Sequence, residues 1–477
     1  MSHTLSKGVA TAFAIAPLLV ACGGGDSGGS PAPIEAPQCS GSSCGTQGPP
    51  ASQPVNGSLC PADADIVKST YLGGAGSGEI VSVNIDAVAM TYTLKWLESP
   101  IPLTTGTVTP TRVGTTITGR VMHPPAGTLP TAEQTRCAFI FTPGAGTAGN
   151  GSAYSTAADF NPANPPMLLV GMGVAGGGIP GATIQYDGLT ISVAGVPVYQ
   201  NVGKVPNRHF DFYPFLGFAS TTTDLTKLPG TYNALIYHLV PSGNYATKGT
   251  NSSETFDANG ACTSTGASGC ETTGDPWKTS ANGGYFDSTK APQILPQTQL
   301  PIIGATGKSA TAHMVIGQLN GATVPVVVRT GSVYLGTDAA LHADAKVDDE
   351  SGIAVLGNAT ALTSGGIDGG YAGADSNFKY TAALIRGGNA TFVNPTTQAA
   401  EDGFTLDYGQ ATPGLLNLQT IPPANSGYAA SSGLLIATGG LYAALVQGKT
   451  NGGIKQTSAN ADTPSAPYFG VGAQISK

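Results

Sequence analysis

Short runs of alternating apolar and polar residues, separated by tight turns, constrain the fold of this chain most strongly. Residues 80–85 and 91–96 alternate with a period of two, which is typical of a half-buried β-strand. No stretch of a dozen residues has a helical period with capping residues at its ends. The chain is therefore predicted to be all-β, an antiparallel sandwich, meander or barrel with many Gly and Asn turns and few short helices.

Three hairpins are predicted from two-residue turn sequences. Asp187-Gly188 lies inside the alternating segment 183–193, and Asn320-Gly321 lies inside 315–328. These dipeptides favour the type I′ turn, which matches the twist of paired strands. A third hairpin is predicted to turn at Gly439-Gly440.

The composition is that of a folded chain with a polar but weakly charged surface. Hydrophobic residues make up 40% of the 477 residues, which suffices for a large core, whereas charged residues make up only 10%. The net charge is −8, and the sequence contains no cluster of Lys or Arg. Nucleic acid is therefore not expected as a partner, because its binding depends on basic patches.

Residues 23–59 have a different composition from the rest of the chain. Gly, Ser and Pro account for 22 of these 37 residues, so the segment cannot bury enough apolar surface to fold. We predict a tether over 22–59, followed by β domains over 60–225 and 226–477. A single continuous domain is the alternative to the boundary near residue 225.

Residues 1–21 are predicted to be a signal peptide. The apolar segment from Val9 to Ala21 has 13 residues, fewer than the roughly 20 that a transmembrane helix needs. Leu19-Val20-Ala21-Cys22 fills all four positions of a lipobox, and here the chain resembles bacterial lipoproteins. The resemblance implies a diacylglycerol on Cys22, an acyl chain such as palmitate on its amine, and outer-membrane sorting through Gly23. An ordinary secreted protein with a cysteine near its cleavage site is the alternative.

The cysteine count agrees with lipidation of Cys22. Seven cysteines are present, and removing Cys22 leaves six, which is enough for three disulfides in an oxidising compartment. Local pairing favours Cys39–Cys44 and Cys262–Cys270, which leaves Cys60–Cys137. Zinc is the rival interpretation, but no CxxC pair or matching His spacing supports it. No metal or cofactor is predicted.

Four short motifs resemble catalytic or ligand-binding sequences but lack the required context. Residues 25–29 match a serine-protease sequence within the tether, and the GxGxxG at 171–176 is followed by residues that cannot begin a helix. Residues 304–309 resemble a P-loop without its first glycine, and the acidic run at 344–350 departs from the EF-hand pattern. No catalytic residue is assigned, and an enzymatic role is not favoured.

Residues 207–218 concentrate aromatic side chains around a histidine and an aspartate. If this segment is a strand, His209, Asp211 and Tyr213 lie on one face and the intervening phenylalanines on the other. Polar groups backed by aromatic rings are typical of ligand clefts. The alternative is a core strand in which His209 and Asp211 only bond to each other.

The body of the chain resembles uncharacterised cell-envelope lipoproteins of Gram-negative bacteria, which combine a lipobox, a Gly/Ser/Pro tether and a glycine-rich β body. The resemblance implies a membrane-anchored envelope protein that faces the periplasm or the cell surface. We favour a non-enzymatic binding or structural protein with a carbohydrate, peptide or envelope-protein ligand. The alternatives are an anchored extracytoplasmic hydrolase, centred on His209 and Asp211, and an accessory subunit of an outer-membrane assembly.

The lipobox leads to a direct test in a Gram-negative host. Cys22→Ser is expected to abolish incorporation of radiolabelled palmitate and to move the chain from the membrane to the soluble fraction, because the acyl chains are the anchor. Cys39→Ser is the matched control and should keep both properties. Palmitate labelling that survives in Cys22→Ser would contradict the lipoprotein interpretation.

Overall fold

The computed structural model describes residues 60–126, 129, 132–265, 270, 277–291, 308–342, 344–376, 380–393, 400–421, 430–446 and 467–476. All described residues lie in one compact unit, which falls within Glu35–Lys477. The predicted signal peptide, the tether and the Cys39–Cys44 pair lie outside the described residues. No helix in the described part is long and apolar enough to span a membrane.

The prediction of an all-β fold with few short helices is confirmed. The described residues form two α-helices of four and six residues, α1 (Asp63–Ile66) and α2 (Ala132–Cys137). Short 3₁₀ turns occur at Ala157–Asp159, Leu225–Lys227 and Pro241–Gly243. The remaining elements are strands, which form two barrels, one open sheet and two small hairpins.

The first barrel is formed by eight strands in the order β3-β2-β1-β12-β9-β8-β5-β4, and it closes because β4 pairs with β3. Strands β6 and β7 extend from β4, and β10 and β11 form a separate hairpin. The strands are β1 (Thr70–Ala75), β2 (Glu79–Asp86), β3 (Thr91–Glu98), β4 (Thr116–Met122), β5 (Ala138–Phe141), β6 (Ala145–Thr147), β7 (Ala153–Ser155), β8 (Met167–Gly171), β9 (Val174–Tyr186), β10 (Leu189–Val193), β11 (Val196–Val202) and β12 (Val205–Phe218).

Strand β3 illustrates how the sequence pattern produces the first barrel. Tyr92, Leu94 and Trp96 are buried, whereas Thr93 and Lys95 between them are exposed. Successive side chains of a strand point to opposite faces, so this alternation buries one face in the core and leaves the other in water.

The middle sheet has the order β16-β15-β14-β23-β20-β19-β18-β17, and β13 pairs with β19. Strands β21 and β22 form a separate hairpin. These strands are β13 (Thr221–Thr222), β14 (Gly230–Val240), β15 (Ala246–Phe256), β16 (Cys262–Thr265), β17 (Lys278–Thr279), β18 (Phe286–Ser288), β19 (Thr311–Leu319), β20 (Ala322–Thr330), β21 (Ser332–Tyr334), β22 (Lys346–Asp348) and β23 (Ser351–Asn358). The domain boundary near residue 225 falls between β13 and β14 and stays a prediction.

The second barrel is a meander in which each strand pairs with the next and the last pairs with the first. Its strands are β24 (Gly369–Asp375), β25 (Tyr380–Arg386), β26 (Asn389–Val393), β27 (Ala400–Asp407), β28 (Leu415–Ile421), β29 (Ser432–Thr438), β30 (Leu441–Val446) and β31 (Tyr468–Ser476).

A continuous apolar core joins the two barrels and the middle sheet. The first barrel approaches the middle sheet closely at Gly74, where a Cβ would lie 2.7 Å from Cγ1 of Val328. The second barrel contributes Phe469, whose ring centre lies 5.7 Å from that of Tyr237 in β14. The closeness at Gly74 explains why a residue without a side chain occupies that position.

Two of the three predicted hairpins are confirmed and one is wrong. Leu319 pairs with Ala322 across Asn320-Gly321, and Thr438 pairs with Leu441 across Gly439-Gly440. At Asp187-Gly188 no hairpin forms, because the strands on either side do not pair with each other. Strand β9 pairs with β12, and β10 pairs with β11. The long pairing between β9 and β12 thus forms in place of the predicted hairpin.

The predicted disulfides Cys60–Cys137 and Cys262–Cys270 are confirmed. The first joins the start of the described chain to the end of α2, across a sequence separation of 77 residues. The second joins the first residue of β16 to Cys270, across a sequence separation of 8 residues. Both agree with an oxidising compartment.

Candidate functional site

A cavity of about 320 Å³ lies where the first barrel meets the middle sheet. Strands β9, β12 and β14 and the residue before β15 supply an apolar and aromatic lining that includes Ile184, Tyr186, Val205, Phe210, Leu239 and Tyr245. Hydroxyl side chains from the middle sheet and its neighbouring segments also line it, among them Ser309, Thr311, Thr330, Ser332 and Ser351. The lining thus combines apolar surface with uncharged hydrogen-bonding groups.

The β3–β4 connection, residues 99–115, forms part of the cavity wall. It folds back on itself, because the backbone N–H of Arg112 donates to the carbonyl of Ile101 at 2.8 Å. Its tip is held on β9, where the N–H of Gly106 donates to the carbonyl of Gln185 at 3.0 Å. The connection is therefore fixed at its tip as well as at its base.

Arg112 anchors the base of this connection in the interior of the first barrel. Its side chain is fully buried, and its Nη2 lies 2.9 Å from Oε2 of Glu79 in β2. Its Nη1 donates to the carbonyls of Pro180 and Gly181 in β9, both at 3.2 Å. The guanidinium carbon lies 4.5 Å from the centre of the Trp96 ring, a cation–π contact.

The buried negative charge of Glu79 is also compensated by hydrogen bonds. Its carboxylate accepts hydrogen bonds from Ser77 and Ser99 in addition to the two from Arg112. Both serines line the cavity. A buried ion pair is tolerated only when hydrogen bonds replace the lost water, and this pair meets that condition.

Tyr213 lies beside this ion pair and lines the cavity. Its side chain is 1% exposed, and its ring centre lies 5.9 Å from the guanidinium carbon of Arg112. Among the described residues its hydroxyl has no hydrogen-bond partner. Burial raises the pKa of Tyr213 well above its ordinary value, so the hydroxyl keeps its proton.

The carboxylates that line the cavity already have partners. Asp349 accepts hydrogen bonds from the backbone N–H of Ser242 at 2.6 Å and from its hydroxyl at 2.8 Å, although burial raises the pKa of this carboxyl. Glu98 accepts a hydrogen bond from the hydroxyl of Tyr285 at 2.5 Å. Lys308 is the one cation among the described lining residues, and it is exposed.

The three residues predicted as a ligand cleft do not come together. Segment 207–218 is part of strand β12, as expected, and Nε2 of His209 lies 3.1 Å from Oδ1 of Asp211. This pair is open to solvent, since His209 is 42% exposed, and Nδ1 of His209 lies 2.9 Å from the hydroxyl of Thr183. Tyr213 instead lines the buried cavity, and a ligand role for His209 and Asp211 stays a prediction.

The family described as "Protein of unknown function (DUF2957)" matches residues 91–473. The chain belongs to this family. The DUF2957 match begins at the first residue of β3 and ends within β31, so it includes Arg112 and Tyr213 but not Glu79.

Two further comparisons add little. The search of curated proteins found no match. Among solved structures, a mutant of the vaccine antigen transferrin binding protein B from Haemophilus parasuis is similar at 9% identity and a TM-score of 0.15, over 83% of this chain and 65% of that one. The DUF2957 chain thus spans less than two thirds of that protein, and a likeness this low has no bearing on function.

Two acidic side chains of the run at 344–350 of this DUF2957 chain form contacts with residues of the middle sheet. Asp348 forms a buried ion pair with Arg329 at 2.7 Å. Glu350 accepts hydrogen bonds from His238 at 2.9 Å and from Lys248 at 2.7 Å. Burial alone would raise the pKa of Glu350, but these two partners lower it to about 2.

Glu98, Asp287 and His313 are the described residues outside the disulfides whose donor atoms could hold a metal ion. One ligand atom from each lies within 4.8 Å of the others. Nδ1 of His313 lies 2.7 Å from Oδ1 of Asp287, and its Nε2 lies 3.0 Å from the hydroxyl of Thr311. Imidazole and carboxylate ligands suit Zn²⁺, but each group already has a protein partner.

Most of the cavity lining could not be predicted from the sequence, because its residues come from many short segments spread between residues 77 and 351. Tyr213 was selected for its aromatic surroundings. Arg112 carried no distinctive local signal, since it lies in a Thr- and Pro-rich loop with no neighbouring charge.

The buried ion pair leads to a stability prediction. Arg112→Met leaves the Glu79 carboxylate buried and uncompensated, and it should lower the free energy of unfolding by about 3–5 kcal/mol in urea titrations. The double variant Glu79→Leu, Arg112→Met should recover part of that loss, because no charge remains unpaired. Equal destabilisation in the single and double variants would show that the unpaired Glu79 charge is not the cause of the lost stability.

Proposed function

We propose that this protein is a lipid-anchored protein of the cell envelope that binds a ligand in the cavity between the first barrel and the middle sheet, without converting it. The observation that carries the proposal is the cavity itself, about 320 Å³ in volume, whose lining combines apolar and aromatic side chains with hydroxyl groups.

The energetics of the cavity support this proposal. Apolar ligand surface that leaves water for this lining contributes about 25 cal/mol per Å². The cavity volume of about 320 Å³ also lies at the lower end of small-molecule sites, which span about 300–1,000 Å³.

The location in the envelope follows from the lipobox and the tether. Acyl chains on Cys22 would hold the protein on a membrane, and outer-membrane sorting is proposed from Gly23. The 37 residues of segment 23–59, as a flexible coil, would span roughly 35 Å between the anchor and the folded body. The binding site would therefore face the periplasm or the exterior, at a distance from the lipid surface.

A hydrolase is the second candidate, and one arrangement favours it. The hydroxyl of Thr311 lies 3.0 Å from Nε2 of His313, and Nδ1 of His313 lies 2.7 Å from Asp287. This is the hydroxyl–imidazole–carboxylate order of a nucleophilic triad, and Thr311 lines the cavity. The threonine hydroxyl is a secondary alcohol, whose extra methyl group makes it a more hindered nucleophile than a serine hydroxyl, so binding without turnover is preferred.

Native mass spectrometry of the mature chain tests the proposal. Residues 22–477 with Cys22→Ser, exported through a non-lipoprotein signal and purified from the periplasm, should show a mass excess that disappears on denaturation. Thr111→Trp, which fills the half-buried edge of the cavity, should abolish that excess. Val88→Trp is the control, because Val88 is 70% exposed and does not line the cavity.

Two outcomes would count against ligand binding as the function. A bare mass in the unmodified chain would contradict it directly. Hydrolysis of 4-nitrophenyl butyrate that falls to background in Thr311→Val would favour the hydrolase instead.

A further inference from the structure

We propose that the tip of the β10–β11 hairpin, residues 194–199, inserts into the surface of the phospholipid bilayer to which the chain is anchored. This inference goes beyond the ligand cavity and rests on the anchoring part of the proposed function. It is carried by the exposure of the tip, its lack of charge, its protected strand edges and the reach of segment 23–59.

The tip is exposed on both faces, whereas the base of the hairpin is packed. Residues 194–201 are all exposed. Because successive side chains of a strand point to opposite faces, neither face of β11 packs on the rest of the protein before Val202. At the base, Ile191 and Val202 are buried in one apolar cluster with Val347. The hairpin is therefore held at its base, and its tip is surrounded by solvent.

The exposed tip is apolar and uncharged. Val196 is 64% exposed, Val198 49% and Tyr199 38%, and these are three of the nine large apolar side chains that are exposed among the described residues. The nearest charged residues in the sequence are Asp187 and Lys204, outside the hairpin. Clustered apolar exposure marks a contact surface. The absence of charge favours hydrocarbon as the contact, because a charged group would have to lose its water there.

The edges of the hairpin do not favour the addition of a strand from another protein. Pro197 has no backbone N–H to donate from β11. On the β10 edge, the N–H of Ser192 already donates to the carbonyl of Leu341 at 2.8 Å. The register between β10 and β11 is also irregular on both sides of Ile191, which twists the edge away from a flat partner. The contact is therefore made by the side chains of the tip and not by its backbone.

The dimensions of the tip suit a shallow insertion. Val196 and Tyr199 lie roughly 10 Å apart along the strand. Interfacial segments enter the boundary between headgroups and acyl chains by about 5–10 Å. Insertion of Val196 and Val198 would place Tyr199 at the level of the headgroups, where tyrosine is enriched in membrane proteins.

Segment 23–59 is long enough for the anchor and the tip to reach one bilayer. Cys60 is joined to Cys137 beside β5, two strands from β9 in the first barrel. Strand β9 has 13 residues, so the hairpin that follows it lies roughly 40 Å from its start. The 37 residues of segment 23–59 would reach up to roughly 120 Å when extended. A tether that holds the tip near the bilayer raises its effective concentration, so a small apolar contact suffices.

Quenching of tryptophan fluorescence by brominated lipid tests the insertion. Residues 22–477 with Cys22→Ser, Val198→Trp and an N-terminal histidine tag are held on phosphatidylcholine vesicles that contain a nickel-chelating lipid. Bromine on the acyl chains should lower the fluorescence of the tryptophan introduced at position 198 about twofold, because the tip reaches those chains. Adding Val196→Asp should remove most of this quenching, because a carboxylate does not enter hydrocarbon. The same chain without Val198→Trp gives the background from Trp96 and Trp277.

Val88→Trp is the matched control. Val88 is 70% exposed in the β2–β3 turn. This turn lies at the end of the first barrel where β12 finishes, since Leu72 pairs with Phe218 and Thr70 with Asn84, whereas the hairpin precedes the start of β12. A tryptophan at position 88 should keep the same fluorescence with both lipids.

Four outcomes would overturn the inference: no quenching at position 198, equal quenching at positions 88 and 198, quenching that survives Val196→Asp, or a dimer in solution that Val196→Asp dissociates. The last would mean that a second copy of the chain covers the tip. The histidine tag replaces the acyl anchor, and the readout does not involve the cavity. Failure of the insertion is therefore distinguishable from failure of palmitate labelling at Cys22 or of ligand capture.

Discussion

The buried ion pair between Arg112 and Glu79 is the interaction on which the candidate site depends. It connects β2 to the β3–β4 connection and, through the carbonyls that Arg112 reaches, to β9. Two serines of the cavity lining donate to the same carboxylate. Because removing one partner would leave a buried charge, the base of the cavity wall and the barrel interior are stabilised together.

The fold class was predictable because it depends on local pattern. Alternation in segments such as 91–96 fixes which face of a strand is buried, and Asn320-Gly321 and Gly439-Gly440 fix the register of their hairpins. Pairing between distant strands was not predictable in this way. The dipeptide Asp187-Gly188 is a preferred hairpin-turn sequence. Strand β9 nevertheless pairs with β12, because more backbone hydrogen bonds form along that longer register.

The site was predictable only in part. The aromatic strand 207–218 was recognised, but alternation alone grouped Tyr213 with His209 and Asp211. The segments that pack against a strand differ along its length. The same face of β12 is therefore open to water at His209 and enclosed at Tyr213. That enclosure is created by the β3–β4 connection, about a hundred residues earlier in the sequence, and by the middle sheet, whose strands extend from residue 221 to residue 358.

The central claim is that the buried Tyr213 hydroxyl has no hydrogen-bond partner among the described residues. Urea unfolding of the ligand-free chain tests it most directly, with Tyr213→Phe compared with Tyr245→Phe. Tyr213→Phe should leave the free energy of unfolding unchanged or raise it, whereas Tyr245→Phe should lower it by about 1 kcal/mol, because only Tyr245 loses hydrogen bonds made within the protein. An equal loss in Tyr213→Phe would contradict the account.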